Sequence, residues 1–138
     1  MNQKIILTLI SAFALTSFNL HAAAPTLKSV MQGLSTAMNS LNEGIFNEDY
    51  TAIELAAAKV ADHPKPKGQL PTVIKTLNIR MIKFKSIDSK VHDAAVDIVA
   101  LAKVKDINGI LKKHTIIMNN CVSCHTQFRT EISDALKK

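Results

Sequence analysis

Hydrophobic positions spaced three and four residues apart recur along most of this chain, and they predict four amphipathic helices. Three prolines and a glycine within residues 63–71 interrupt the pattern and predict one long connection in the middle of the chain. The predicted bounds are residues 27–46 for helix A, a cap at Asn47 to about residue 62 for helix B, about residues 77–103 for helix C, and a cap at Asp106 to the C-terminus for helix D. Residues 72–76 are ambiguous.

Each predicted helix has one apolar face, and short A–B and C–D connections place consecutive helices side by side. This arrangement predicts an all-α fold, an antiparallel up-down-up-down four-helix bundle. The residues expected to face inward are Leu27, Val30, Met31, Leu34, Met38, Leu41 and Ile45 in helix A; Tyr50, Ile53, Ala57 and Val60 in helix B; Phe84, Ile87, Val91, Ala94, Ile98 and Leu101 in helix C; and Ile107, Leu111, His114, Met118, Cys121, His125, Phe128 and Ile132 in helix D.

The N-terminus has the parts of a secretory signal peptide: Lys4, an apolar run over residues 5–15, and small residues at Ala22 and Ala23. A membrane anchor is the alternative, but the apolar run is shorter than the roughly 20 residues that a bilayer span requires. We therefore expect residues 1–22 to be a signal that is removed. Residues 23–138 then form a single domain, exported and soluble in the periplasm, with no stable membrane anchor.

The formal net charge is +6, and removal of the signal takes away only Lys4, which leaves an excess of about five. The basic residues are interpreted as scattered among acidic ones, and they do not alternate with aromatics as in a nucleic-acid-binding stripe. The charge therefore predicts a solvated surface that could meet an acidic redox partner, and it argues against a nucleic-acid partner.

The candidate chemistry lies near the C-terminus, in Cys121-Val122-Ser123-Cys124-His125. On a helix, residues three and four apart project to one side, so the two thiols and the imidazole face a common space. The C-x-x-C-H spacing is that of a c-type haem attachment site. The thiols form thioethers with the porphyrin, and His125 becomes the proximal iron ligand. The motif therefore predicts one haem c, covalently attached through Cys121 and Cys124.

Three other interpretations of the cysteines remain open. A thioredoxin-type dithiol requires a βαβ context, which the helical pattern does not provide. A structural zinc site normally has four Cys or His ligands, and this chain has no second C-x-x-C pair. A simple disulfide between Cys121 and Cys124 would leave His125 without a role.

A C-x-x-C-H motif at the end of an all-helical exported chain resembles the class II cytochromes c, the family of cytochrome c′ and the low-spin cytochromes c-556. The run from His125 to Phe128 and Arg129 is similar to the family's pattern of histidine, two variable residues, an aromatic and a basic residue. Helix A, with Val30-Met31 followed by Met38 and Leu41, also looks like the family's first helix.

The resemblance implies that the sixth iron ligand comes from helix A, where Met31 occupies the position of the c-556 methionine. In cytochrome c′ that position holds an apolar residue that does not bind iron, and an ordinary core methionine is the other interpretation of Met31. Many relatives carry an arginine near the haem propionates about four residues earlier. This chain has Leu27 there, with Lys28 adjacent as a substitute. Arg129 is a further candidate for the haem environment, and relatives often form homodimers through helices A and B.

We expect a periplasmic one-electron carrier with low-spin His/Met haem, whose partners are periplasmic redox proteins. The alternatives are a five-coordinate, cytochrome c′-type protein that binds nitric oxide or carbon monoxide and a haem-free dithiol or metal-binding helical protein. His63 and His92 are weaker candidates for the iron or a propionate, and His114 lies three turns from His125. The sequence contains no hydrolytic triad, phosphate loop or pair of catalytic carboxylates, so we expect no enzyme activity.

Overall fold

The computed structural model describes residues 24–137, and within this range the chain is all-α with no strand. The predicted signal peptide, residues 1–22, lies outside the described residues. The helices are α1 (Leu27–Phe46), α2 (Tyr50–Ala61), α3 (Leu70–Leu77), α4 (Met81–Lys103) and α5 (Ile107–Ala135), and a 3₁₀ turn (Asn78–Arg80) joins α3 to α4. Within residues 24–137, no helix is long and apolar enough to cross a bilayer.

Helix α1 has the bounds predicted for helix A, and it packs against α2 through Gly44. Thr26 caps α1 by accepting a hydrogen bond from the Ser29 amide at 3.1 Å. Gly44 is buried, and a Cβ atom placed there would lie 3.0 Å from Cγ1 of Ile53. The missing side chain at Gly44 therefore allows α1 and α2 to approach closely.

The cap of α2 differs from the prediction. Asp49, and not Asn47, accepts the hydrogen bond from the Ala52 amide, at 3.0 Å. Glu48 has a φ of 50°, which reverses the chain just before the helix and leaves Asp49 extended. The helix therefore begins at Tyr50. Its buried face includes Ile53, Ala57 and Val60 as predicted.

Helix α3 corrects the interpretation of the middle of the chain, where we expected a long connection up to residue 71 and a helix from residue 77. Pro71 lies in the first turn of α3, where a missing amide costs nothing. Val73 and Leu77 are four residues apart and buried on one side of the helix. Asn78 then has a φ of 48°, which ends α3, and α4 begins only at Met81.

The inward face of α5 is rotated by about one residue from the predicted stripe. Ile110 and Ile117 are fully buried, whereas Leu111 and Met118 are exposed. Phe128 and Ile132 are buried as predicted, and His125 is exposed. The rotation arises because this helix carries apolar residues on adjacent positions, so that two neighbouring stripes fit the same spacing.

The helices pack in the order α1, α2, α4, α5, and α3 packs against α5. Two apolar clusters result. The main core consists of Ala37, Leu41, Ile53, Ala56, Ala57, Val60, Ala94, Ala95, Ile98, Ala102, Ile110 and Ile117. The second cluster consists of Val73, Leu77, Ile87, Phe128 and Ile132. Alanines make up half of the main core, which lets the helix axes approach closely there.

The basic charge is not scattered, contrary to the expectation above. The interval from residue 65 to residue 85 contains no acidic residue. Its cationic side chains, all exposed, are Lys65, Lys67, Lys75, Arg80, Lys83 and Lys85. The formal net charge of the whole chain is +6, so the positive and negative charges of the remaining residues cancel.

Candidate haem site

A cleft of about 570 Å³ lies between the first half of α1 and the second half of α5, beside the second cluster. Helices α1 and α5 stand at the two ends of the packing order, so no third helix fills this space. Its lining residues are Leu27, Lys28, Met31, Gln32, Ser35, Gln69, Phe84, Asp88, Cys124, His125, Phe128, Arg129, Ile132, Ser133, Leu136 and Lys137. Most of the lining surface is apolar.

The α5 wall carries most of the C-x-x-C-H motif. Cys124 is half-buried against the second cluster, and His125 is exposed at the edge of the cleft. Cys121, one turn earlier, is also half-buried but packs against the main core, and it does not line the cleft. No disulfide joins Cys121 to Cys124. The structure therefore brings Cys124 and His125 into the cleft and leaves Cys121 beside it.

Met31 lines the opposite wall of the cleft, on α1, and its environment differs from that of Met38 on the same helix. Met38 is half-buried against the main core. Met31 is 38 % exposed and belongs to neither cluster. The interpretation of Met31 as an ordinary core methionine therefore has no support in the packing, and its thioether is available to the cleft.

Charged side chains surround the cleft. Lys28 lies on the α1 side and Arg129 on the α5 side, and Lys137, which pairs with Asp134 at 2.9 Å, lies near the end of α5. Asp88 of α4 adds one carboxylate to the lining. Three cationic groups against one anionic group suit a ligand with carboxylates at its edge.

Sequence reasoning missed Asp88 and Lys137 as cleft residues. Asp88 could have been found, because it follows Phe84 by four residues and precedes Val91 by three on the inward stripe of helix C. A carboxylate at an inward position of a helix indicates a polar or solvent-filled space there, because a charge buried among apolar side chains is costly. Lys137 gave no comparable signal, since it follows the last apolar position of the stripe.

Burial raises the pKa of both cysteine thiols, and that of Cys124 reaches about 11 because the charges of Asp88 and Cys121 add to the effect. A redox dithiol needs the opposite environment, one that lowers a thiol pKa and stabilises the thiolate. These thiols are therefore weak nucleophiles in the folded chain. The environment argues against the dithiol interpretation.

The other histidines within residues 24–137 lie outside the cleft lining. His63 has Nε2 at 3.7 Å from Oδ1 of Asp88, and this pairing raises the pKa of His63 even though partial burial opposes it. His92 is exposed and contacts Asp93. Burial lowers the pKa of His114, whose Nε2 is enclosed without a hydrogen-bond partner within residues 24–137.

Two long-range contacts hold the walls of the cleft in place. The side-chain oxygen of Gln69 accepts a hydrogen bond from the Leu27 amide at 2.6 Å, which joins the start of α3 to the start of α1. Arg80 forms an ion pair with Glu131 and stands 5.9 Å from the ring centre of Phe128. The α3 region thus contacts both α1 and α5 around the cleft.

The donor set fits a haem. A haem needs apolar walls for its ring, an imidazole for its iron and cations for its carboxylates, and the cleft offers these, with the thioether of Met31 on the wall opposite His125. The thiol of Cys121 is the one donor that faces elsewhere. Comparisons with protein-family models, with curated proteins and with solved structures found no match for this chain.

Proposed function

We propose that this protein is a c-type cytochrome of the class II kind, a periplasmic carrier of single electrons. One haem c would be attached through Cys121 and Cys124, with His125 as proximal ligand and Met31 as sixth ligand. The observation that carries this proposal is the cleft that has Cys124 and His125 on one wall and Met31 on the other. The proposed topology is an antiparallel up-down-up-down bundle, and the proposed signal peptide is residues 1–22.

Haem, when bound, supplies an iron centre that accepts and releases one electron. The imidazole of His125 and the thioether of Met31 would hold the iron in both oxidation states, and a thioether ligand favours the reduced form, which raises the potential. Phe84, Phe128 and Ile132 line the cleft and would exclude water from the bound group.

The cationic residues have a separate role in this proposal. Lys28 and Arg129, on opposite sides of the cleft, would neutralise the two propionate carboxylates. Each pairing is exposed to solvent, so we expect it to contribute about 0.5 kcal/mol, and the pair matters more for orientation than for affinity.

Attachment to Cys121 has a steric requirement. Its side chain packs against the main core, so the sulfur must turn toward the cleft before a thioether forms. Cys121 stands one helical turn from Cys124 on the same side of α5, and a change of rotamer is the smallest movement that achieves this.

The absorption spectrum and intact mass of the exported protein test the proposal. We expect the mass of residues 23–138 plus one haem, and a low-spin ferric spectrum with a sulfur-to-iron charge-transfer band. Met31→Leu should abolish that band. Met38→Leu, on the same helix but at the main core, should preserve it. A mass without haem, with both thiols free or joined, would refute the proposal.

A second candidate function is a gas-binding protein of the cytochrome c′ kind, with five-coordinate iron. The observation that favours it is the exposure of Met31, because no packing holds its thioether in a fixed position. A high-spin spectrum in the unmodified protein that changes on addition of carbon monoxide would identify this function. A haem-free dithiol protein is the third candidate, and the raised thiol pKa values argue against it.

A further inference from the structure

The basic segment, defined as residues 65–85, presents exposed side chains that do not line the cleft. It comprises the second half of the α2–α3 connection, α3, the 3₁₀ turn and the first turn of α4. All of its charged side chains are cationic and exposed, and within residues 24–137 only Arg80 among them has an acidic partner, Glu131. Five lysines thus present uncompensated positive charge on one continuous stretch of chain.

Three isoleucines on the outside of this segment are exposed as well: Ile74, Ile79 and Ile82. Ile79 and Ile82 are 72 % and 70 % exposed. They are three residues apart where the 3₁₀ turn runs into α4, and Lys83 follows Ile79 by four, so these three side chains share one side. Val73 and Leu77, on the preceding helix α3, are buried. Packing within residues 24–137 does not account for these isoleucines, which lie among lysines.

The composition of the surface indicates which partner it fits. Protein interfaces are enriched in aromatic residues and arginine and depleted in lysine. The exposed side chains of this segment include five lysines, three isoleucines and one arginine, Arg80, which is paired with Glu131; no aromatic residue of the segment is exposed. Insertion of apolar side chains among acyl chains, with lysines at the level of anionic headgroups, is the recognition mode of interfacial helices.

We propose that the basic segment docks this protein reversibly on an anionic lipid bilayer, with Ile79 and Ile82 entering the headgroup region and the lysines contacting lipid phosphates. The same segment supplies Gln69 and Phe84 to the cleft, so docking holds the cleft close to the bilayer surface. The inference does not depend on the cofactor.

Vesicle flotation of the full exported protein tests the proposal. We expect binding to an equal mixture of phosphatidylcholine and phosphatidylglycerol, none to phosphatidylcholine alone, and release at about 1 M salt, where the Debye length is about 3 Å. Lys75→Glu/Lys83→Glu should lower the partition coefficient by about tenfold or more. The control Lys90→Glu/Lys112→Glu changes the net charge equally outside the segment and should have a much smaller effect.

A second pair of variants tests whether the exposed isoleucines contribute to vesicle binding. Ile79→Ser/Ile82→Ser should weaken vesicle binding by about tenfold. Leu55→Ser/Val104→Ser, which changes residues that are 61 % and 72 % exposed elsewhere, should leave it unchanged. Circular dichroism verifies that each variant retains its helices.

Three results would overturn the proposal. One is the absence of binding to the anionic vesicles, and another is equal weakening by the control and segment variants. The third concerns an acidic protein as the occupant. If the unmodified chain binds soluble polyglutamate and not vesicles, and the isoleucine variant binds polyglutamate as well as the unmodified chain does, the surface recognises acidic polypeptide and not lipid.

Discussion

At the scale of single residues, the thiol of Cys124 has a chemical property that can be measured without haem. Burial raises its pKa from 9.0 to about 11, which leaves about a hundredfold less thiolate at neutral pH. A high-pKa thiolate is intrinsically more nucleophilic, which offsets part of this difference. We predict that iodoacetamide modifies Cys124 roughly tenfold more slowly in the folded haem-free chain than in urea.

Timed quenching and peptide mass spectrometry measure this rate, and a Cys121→Ser background removes interference from the second thiol. Asp88→Asn should accelerate the reaction in the folded chain, because the Asp88 charge contributes to the raised pKa. Equal rates in the folded and unfolded chains would contradict the prediction.

The pairing of His63 with Asp88 gives a pH-dependent contribution to stability. The pKa of His63 is raised in the folded protein, so folding favours the protonated imidazole. The contribution is fully present below the unfolded pKa of about 6.5 and is lost as the pH rises through the folded pKa. We predict that Asp88→Asn destabilises by about 0.5 kcal/mol near pH 5.5 and much less near pH 8.5. Urea unfolding at both pH values measures the difference.

The control is the same substitution in a His63→Gln background, where the pH dependence should disappear. A difference that persists there would show that Asp88 acts through another group. Cys124 is the neighbour to consider in that case, because the Asp88 charge also acts on its thiol.

The residues that line the cleft were predictable from the sequence where a short motif or a family resemblance identifies them. Cys124 and His125 belong to one short motif, and Met31 was assigned from the resemblance of helix A to the first helix of a family. Which way Cys121 faces could not be predicted, because spacing defines the side of a helix and not the rotamer. Asp88, which lines the cleft, was missed although its position between Phe84 and Val91 on the inward stripe of helix C was readable from the sequence.

At the scale of helices, α1 provides two glycines that differ only in their surroundings. A Cβ atom at Gly44 would lie 3.0 Å from Cγ1 and 3.1 Å from the amide nitrogen of Ile53, whereas one at Gly33 meets nothing within 4 Å. We predict that Gly44→Ala destabilises the protein by about 1 kcal/mol through overpacking. Gly33→Ala should stabilise it by about 0.5–1 kcal/mol, because alanine favours the helix.

Chemical denaturation of both variants measures these effects. The two variants serve as controls for each other, because each replaces a glycine of α1 with alanine. Opposite signs are the expected outcome. A stabilising effect at Gly44 would mean that α1 and α2 can separate at no cost, and the close approach of these helices would then not be a requirement of the fold.

Helices were predictable where one apolar face alone fits the spacing, as in α1 and α2. The prediction was wrong where two faces compete or where backbone conformation decides. In α5, adjacent apolar pairs such as Ile110 and Leu111 allow two stripes, and only packing against α4 selects one. The short helix α3 was hidden by Pro71, which the sequence analysis took as a stop although a first turn accepts it.

At the scale of the whole molecule, the two apolar clusters differ in their relation to the cleft. The main core lies away from the cleft, and the second cluster borders it. The main core joins α1, α2, α4 and the first half of α5 through closely packed alanines and isoleucines. The second cluster contains α3, the first half of α4 and the second half of α5, and it faces the cleft. A cofactor in the cleft would extend the second cluster and leave the main core unaffected.

This division predicts how the protein responds when the cofactor is absent. Hydrogen exchange of the haem-loaded protein and of a Cys121→Ala/Cys124→Ala chain should show equal protection in α2 and around Ile98, because these contacts belong to the main core. Protection should fall in residues 27–35, in α3 and after residue 124. Amides there lose a packing partner, since Met31, Leu27 and Phe128 border the cleft. An equal loss of protection in α2 would show that the two clusters fold as one unit and that the cofactor supports the entire bundle.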